Sequence, residues 1–347
     1  MPGSSVIGWD LGGAHLKAAR VGGSGAVEAV VQRPCPLWQG MPHFFTALDE
    51  ARSVMGEAPV HAVTMTGEMV DLFRNREEGV LALVAAMRER LPGSDLRFYA
   101  GRDGFVDAAT ASRSPAQVAS ANWMASAALV ADRLQEGLLI DIGSTTTDLV
   151  PVSGGAVAAV GADDATRLVA GELVYTGVVR TPLMALAERV PFAGDSVPLV
   201  AEYFATAADV HRLLGTLPEG ADQHPAADGG PKTVEGSARR LARMIGRDME
   251  SAQLTAWREL AGWLAAAQRR RIDEGCALVI SRSGLSGDAP LVAAGVGRFV
   301  VRALTAARGR PVLDFGNLVP ANVAVRPLIA DCAPAVAVAW LAARESA

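Results

Sequence analysis

The chain has 347 residues, 50% of them hydrophobic and 20% charged, and carries a formal net charge of −5 at neutral pH. That balance excludes a disordered chain and supplies no bulk basic surface for nucleic acid. At about 150 residues per domain it reads as two domains, long enough to bury about three quarters of the unfolded surface.

The N-terminal part passes through Ser4-Ser5 straight into Val6-Ile7-Gly8-Trp9-Asp10, without the basic and then long apolar pattern of a signal peptide. Three scattered cysteines, Cys35, Cys276 and Cys332, build neither a disulfide framework nor a Cys-x-x-Cys metal site and suit a reducing compartment. A cytoplasmic protein without membrane contact is expected. The opening strand ends in Asp10-Leu11-Gly12, turns through Gly12-Gly13-Ala14, and continues as a second strand from His15 through Lys17. A third strand, 26–33, follows Gly22-Gly23. The pattern then predicts a helix over 41–55, a strand over 60–65, a helix over 77–91 and a strand over 96–100. One long helix is expected over 114–134, with Ser114 as N-cap, Pro115 in the first turn and Gln117 at the third position.

Residues 138–150 repeat the opening pattern: Leu138-Leu139-Ile140-Asp141-Ile142-Gly143, a turn at Ser144-Thr145-Thr146, and a strand through Asp148, with a third strand over 156–160. Asp10 and Asp141 lie a whole domain apart, too far for a solenoid unit. Residues 163–268 read as a mostly helical insert interrupted by a Pro/Gly-rich loop over 218–231. Strands are expected at 277–281, 291–294 and 312–315, and a final Ala/Val-rich helix over 334–344, about half the ~20 residues that span a bilayer. The expected division is 1–136 and 137–347.

Alternating strands and helices imply an α/β fold. Hairpin tips built from small residues expose consecutive backbone N–H groups that cradle phosphate oxygens, which nominates Gly12, Gly13 and Ala14, and Gly143, Ser144, Thr145 and Thr146. The neighbouring carboxylates Asp10, Asp141 and Asp148 are candidates for Mg²⁺, an ion that prefers hard oxygen ligands. A third glycine segment lies at 290–298: a strand, the turn Gly295-Val296-Gly297, and a helix, the arrangement that sets phosphate or ribose at a helix N-terminus. It is no dinucleotide fingerprint, because Val300 replaces the third glycine. Glu68, after the 60–65 strand, is a candidate general base or an ordinary helix-start acid. Asp228 in the Ala-Asp-Gly-Gly loop is a second candidate or a turn residue. Asn122 and Trp123 fall mid-helix in this reading, Trp123 either stacking on a substrate ring or filling the core. Lys17, Arg180 and Lys232 are cations for phosphate or carboxylate groups.

The three glycine elements, in this order, resemble the superfamily of sugar kinases, Hsp70 and actin. There, two ribonuclease-H-like halves close around a central cleft, here with a helical insert in the second half. Asp141 to Asp148 resembles the phosphate loop of the hydantoinase A/oxoprolinase branch. A narrower resemblance rests on Gly12-Gly13-Ala14 with Lys17, Thr66-Gly67-Glu68, Asn122-Trp123, Asp141 to Asp148, Gly171-Glu172, Arg180-Thr181-Pro182, Asp209-Val210-His211 and Asp228-Gly229 before Lys232. It is similar to the condensing enzymes of methanofuran and methylofuran biosynthesis. That resemblance implies a transferase joining an aminomethylfuran-methyl diphosphate to the phenol oxygen of a γ-glutamylated tyramine or tyrosine, with release of pyrophosphate. It also implies small-molecule substrates, Mg²⁺ as cofactor, no requirement for ATP, and a chain that could assemble as a homo-oligomer. Ala14-His15 fits, because a kinase places a hydroxyl there for a transferred γ-phosphate and a condensing enzyme needs none. The alternatives are an ATP-dependent kinase or hydantoinase/oxoprolinase-type enzyme, and a nucleotide sensor without catalysis.

Overall fold

A computed structural model describes residues 4–345 of the chain; the outer ends of the two expected halves, 1–3 and 346–347, lie outside them. The first strands are β1 (Val6–Leu11), β2 (His15–Val21) and β3 (Val27–Pro34), followed by α1 (Met41–Met55), β4 (Val60–Met65) and α2 (Arg76–Arg90). Next come β5 (Asp95–Tyr99), β6 (Phe105–Asp107), α3 (Ala108–Arg113), α4 (Pro115–Val118) and α5 (Asn122–Arg133). The strands form one sheet in the order β3-β2-β1-β4-β5-β6. Its β1–β2–β3 side is antiparallel and its β1–β4–β5 core parallel. All six residues of β1 and all six of β4 are buried, as strands covered on both faces must be.

The expected helix over 114–134 is broken. Ser120 takes a left-handed φ of 51°, which an α-helix cannot contain, so the chain stops at Val118 and restarts at Asn122. Pro115 does sit in the first turn, but the Ser114 side chain makes no capping bond. Asn122 and Trp123 therefore open a helix instead of lying inside one.

The second set comprises β7 (Glu136–Ile142), β8 (Thr147–Ser153), β9 (Ala156–Val157), α6 (Asp164–Ala170), β10 (Leu173–Val174), β11 (Arg189–Phe192) and β12 (Asp195–Pro198). It continues with α7 (Ala207–Leu213), α8 (Val234–Arg243), α9 (Leu254–Ser283), β13 (Leu291–Ala294), α10 (Arg298–Arg308), β14 (Val312–Asp314), α11 (Arg326–Ile329) and α12 (Ala333–Glu345). A second sheet has the order β10-β8-β7-β13-β14, with β9 on β8. The strand expected over 277–281 is instead the end of the 30-residue helix α9. Burial there runs Ile272, Cys276, Val279 while Leu278 is 47% exposed, a spacing of three to four and so a helical face. The insert also holds a two-stranded hairpin, β11–β12, that composition did not reveal.

The compact units do not follow the expected division at 136. One contains the chain through Leu139, Val150–Ala159 and everything from Leu313 onward; the other contains Ile140–Leu149 and Val160–Val312. The physical reason lies in β1: a Cβ on Gly8 would meet Ala335 O at 2.1 Å, so α12 lies directly on the strand that opens the chain. The last helix completes the first core.

Candidate functional site

In the first unit, the β1–β2 turn closes through Gly12 N–H donating to His15 O at 3.1 Å. The carbonyls of Gly13 and Ala14 accept from the N–H groups of Leu37 and Cys35. Strand register sets Asp10 opposite Lys17 on β2 and beside Thr64 on β4, so the three share one face of the sheet. Asp10 is buried, with 4% exposure.

The β4 strand delivers Glu68 close by in sequence, and the carboxyl is 1% exposed. Ser120 Oγ donates to Glu68 Oε1 at 2.8 Å, while Oε2 has no hydrogen-bond partner among the described residues. Burial pushes this carboxyl above its ordinary range, against the Ser120 hydrogen bond. The strained Ser120 thus holds Glu68 at the α4–α5 break. Trp123 is buried with 4% exposure, so it fills the core and offers no stacking surface. Asn122 Oδ1 accepts from the Trp123 N–H at 2.8 Å, a local helix-start contact.

The second unit builds its loop with more support. Gly143 N–H donates to Thr146 O at 2.9 Å and closes the β7–β8 turn. The Gly143 carbonyl accepts from Val178 N–H, and the Ser144 carbonyl from the N–H groups of both Val179 and Arg180. A trans peptide points its C=O and N–H in opposite directions. Fixing those two carbonyls on the 178–180 segment therefore aims the Ser144 and Thr145 amides the other way, as an anion-binding nest requires. Gly177 presses against the same turn, and a Cβ there would lie 2.5 Å from both Ser144 C and Thr145 N. Only glycine fits.

The third glycine segment meets this loop. Gly297 N–H donates to Ile142 O at 2.8 Å, and a Cβ on Gly295 would lie 2.5 Å from Asp141 Oδ1. Asp141, Gly143, Ser144, Thr145, Thr146, Gly295, Gly297 and Arg180 thus come together in one unit. The Arg180 side chain is exposed, and its charge reaches the half-exposed Tyr203, whose phenol partial burial pushes up. Sequence reasoning missed Thr176 and Gly177, which seat the loop; the Thr-Gly pair just before Arg180 was the available signal.

Three candidates sit elsewhere in ionic networks. Asp148 is paired with Arg167 at 2.8 Å, and Arg167 is 1% exposed. Burial raises the Asp148 carboxyl and Arg167 offsets it; its Oδ1 is committed to a buried cation. Asp228 is bonded by Gly230 N–H, Arg240 and Arg243. Against the cost of partial burial, Gly230 N–H and Arg240 hold its carboxyl below the usual range, which weakens it as a base. Lys232 Nζ donates to Asp222 O at 2.8 Å, and Asp222 in turn pairs with Arg212. These contacts pin the 218–231 loop to α7 and α8.

Among the described residues no three His, Cys, Asp or Glu side chains gather as a metal cage. A carboxylate beside a turn whose amides could receive phosphate would suit Mg²⁺, which is commonly held by one or two carboxylates together with substrate phosphates. Asp141 has that place.

Comparison with known proteins gives three kinds of match. A family described as hydantoinase/oxoprolinase matches residues 60–333, beginning after the first hairpin. The chain is 29% identical over 246 residues, 71% of its length and 72% of the relative's, to the (4-{4-[2-(gamma-L-glutamylamino)ethyl]phenoxymethyl}furan-2-yl)methanamine synthase of Methanocaldococcus jannaschii. It is 34% identical over 112 residues to the Methanococcus vannielii protein of the same name, spanning half of that protein's length. Among solved structures, component A of the Acidaminococcus fermentans (R)-2-hydroxyglutaryl-CoA dehydratase is 10% identical, covers 99% of each chain, and has a TM-score of 0.47. With the family match running from β4 through the second loop and the third glycine segment to the start of α12, this chain belongs to the hydantoinase/oxoprolinase family.

Proposed function

We propose that the protein is a transferase of methanofuran-type carrier biosynthesis. It condenses an (aminomethyl)furan-methyl diphosphate with the phenol oxygen of a γ-glutamyl-tyramine or γ-glutamyl-tyrosine acceptor and releases pyrophosphate. One observation carries the reading: the likeness over 71% of the chain to a synthase named for an aryl ether on a furan methyl group. The chemistry asked of the residues is modest. A furan-methyl cation is stabilised by the ring oxygen, so the protein has chiefly to hold the departing diphosphate, exclude water and accept the phenol proton.

The Ser144 and Thr145 amides receive diphosphate oxygens, with the exposed Arg180, whose backbone N–H bonds the Ser144 carbonyl, as the accompanying cation. Within the first unit, Gly12, Gly13, Ala14 and Lys17 are a second candidate turn for an anion. Magnesium held at Asp141 supplies charge neutralisation when bound. Glu68 takes the role of proton acceptor. Burial lifts its carboxyl toward the range where proton exchange with a phenol, ordinarily of pKa about 10, costs less. Ala14 and His15 leave the first turn without a hydroxyl, which suits a reaction that moves no γ-phosphate.

The test is direct. Purified protein, Mg²⁺, the furan diphosphate and γ-glutamyltyramine are incubated without nucleotide, and ether and pyrophosphate are followed by mass spectrometry and a coupled assay. Equal amounts of both products are expected. Product that forms only with ATP, with ADP or AMP accumulating in step, would replace this reading with an ATP-dependent one.

A further inference from the structure

Helix α9 buries a stripe of Trp257, Leu260, Ala261, Leu264, Ile272, Cys276 and Val279, and in its middle stands Gln268, 1% exposed. A leucine would continue the stripe at no polar cost, whereas a buried amide is unfavourable unless its groups are bonded. Here its oxygen and nitrogen are used. Gln268 Nε2 donates to Thr176 Oγ1 and to Gly177 O, each at 2.8 Å, and Oε1 faces His211 Nε2 at 2.9 Å. His211 is itself buried, its Nδ1 lies 3.0 Å from Thr216 Oγ1, and its ring meets Phe299 edge-on, two residues beyond Gly297. Because a Gln oxygen only accepts, His211 is the Nε2–H tautomer.

The contacts form one line of force. Gln268 holds the Thr176-Gly177 segment; Gly177 abuts the Ser144-Thr145 peptide; and the adjoining 178–180 amides fix the two carbonyls that orient the nest. We infer that Gln268, oriented by His211, is a positioning residue for the β7–β8 loop and so sets its affinity for a diphosphate group. The anion part rests on the proposed function, while the positioning part does not.

Two readouts separate these. Hydrogen exchange of a peptide spanning 140–148 in the ligand-free protein reports the loop itself, and calorimetric titration with pyrophosphate and Mg²⁺ reports anion binding. Gln268→Met keeps the volume and removes both donors and the acceptor; Gln268→Glu keeps an acceptor toward His211 and removes the donors. Both variants are expected to exchange at least tenfold faster in 140–148, with the rest of α9 unchanged, and to bind pyrophosphate at least tenfold more weakly. Unchanged exchange in the loop, or acceleration spread evenly over the α9 core, overturns the inference and leaves Gln268 a packing residue. Faster loop exchange in a protein whose wild type does not bind pyrophosphate upholds the positioning and removes the diphosphate reading. Should Gln268→Met fail to fold, Thr176→Val, which deletes one acceptor at nearly constant shape, must give the same loop-confined change.

Discussion

At the scale of single residues, buried titratable groups make the sharpest predictions. Trp9 Nε1–H donates to His61 Nδ1 at 3.0 Å inside the first core, and burial pulls the His61 pKa from 6.5 down to about 4. Between those values the unfolded chain binds the proton and the folded chain does not, so this contribution is full above pH 6.5 and is lost as pH falls toward 4. The difference is worth about 3 kcal/mol. His61→Gln, whose amide oxygen can still accept from Trp9, is expected to show a correspondingly shallower loss of unfolding free energy between pH 7 and 4 in urea titrations. An equal slope in both proteins would contradict the assignment. Asp141 is the opposite kind of residue: partly exposed beside the nest, it supports little of the core. Asp141→Ala should cost roughly a hundredfold in Mg²⁺-dependent turnover while the melting temperature moves by only a few degrees. A variant that keeps full activity removes Asp141 from the proposed metal site. Neither Asp148 nor Asp228 could be told apart from Asp141 in the sequence, because an arginine partner on another element, Arg167 or Arg240, decides whether a carboxylate is committed.

At the scale of elements, local rules were legible where one stretch of chain settles its own conformation. The helix α1 and the strand β4 have the bounds their periodicity predicts, and both hairpins open where Asp-x-Gly lies. Periodicity failed at 277–281, since a short apolar run fits a strand or a buried helix equally until its packing partner is known. It failed again at the α4–α5 break, where Ser120 is held by its tertiary bond to Glu68. The β11–β12 hairpin offers a clean test of local strain. Phe192 pairs with Asp195, so the turn is Ala193-Gly194, with φ of 52° and 88°. Left-handed backbone costs an L-residue about 1–2 kcal/mol, and Ala193 is exposed. Ala193→Gly should therefore raise unfolding free energy by about 0.5–1 kcal/mol, after the entropy that glycine loses. A lower melting temperature would refute the turn assignment.

At the scale of the whole molecule, the first core is closed by the far end of the chain. Among the described residues one stretch, Arg326–Glu345, is long and apolar enough to cross a membrane, and 67% of its apolar 18-residue window is buried inside the protein. It contains α12, which lies on β1 at Gly8. Gly8→Val should cost more than about 3 kcal/mol, because its branches have nowhere to go between the strand and the Ala335 and Ala339 backbone. Chemical denaturation of the purified variant measures this directly. A loss under about 1 kcal/mol would mean that α12 can slide off its strand.

The sequence by itself determined the α/β class, the repeated hairpins, their small-residue tips and the third glycine segment, because each depends on residues adjacent in the chain. Tertiary structure alone decided which acids are committed to arginines, that Trp123 is core, that α12 joins the first unit, and that Thr176, Gly177 and Gln268 seat the second loop. The physical reason is distance along the chain. Turn geometry and periodicity are set by neighbours a few residues away, whereas burial, ion pairing and the aim of a backbone amide are set by partners on other elements, from 12 residues away for Arg240 and Asp228 to 91 for Gln268 and Gly177.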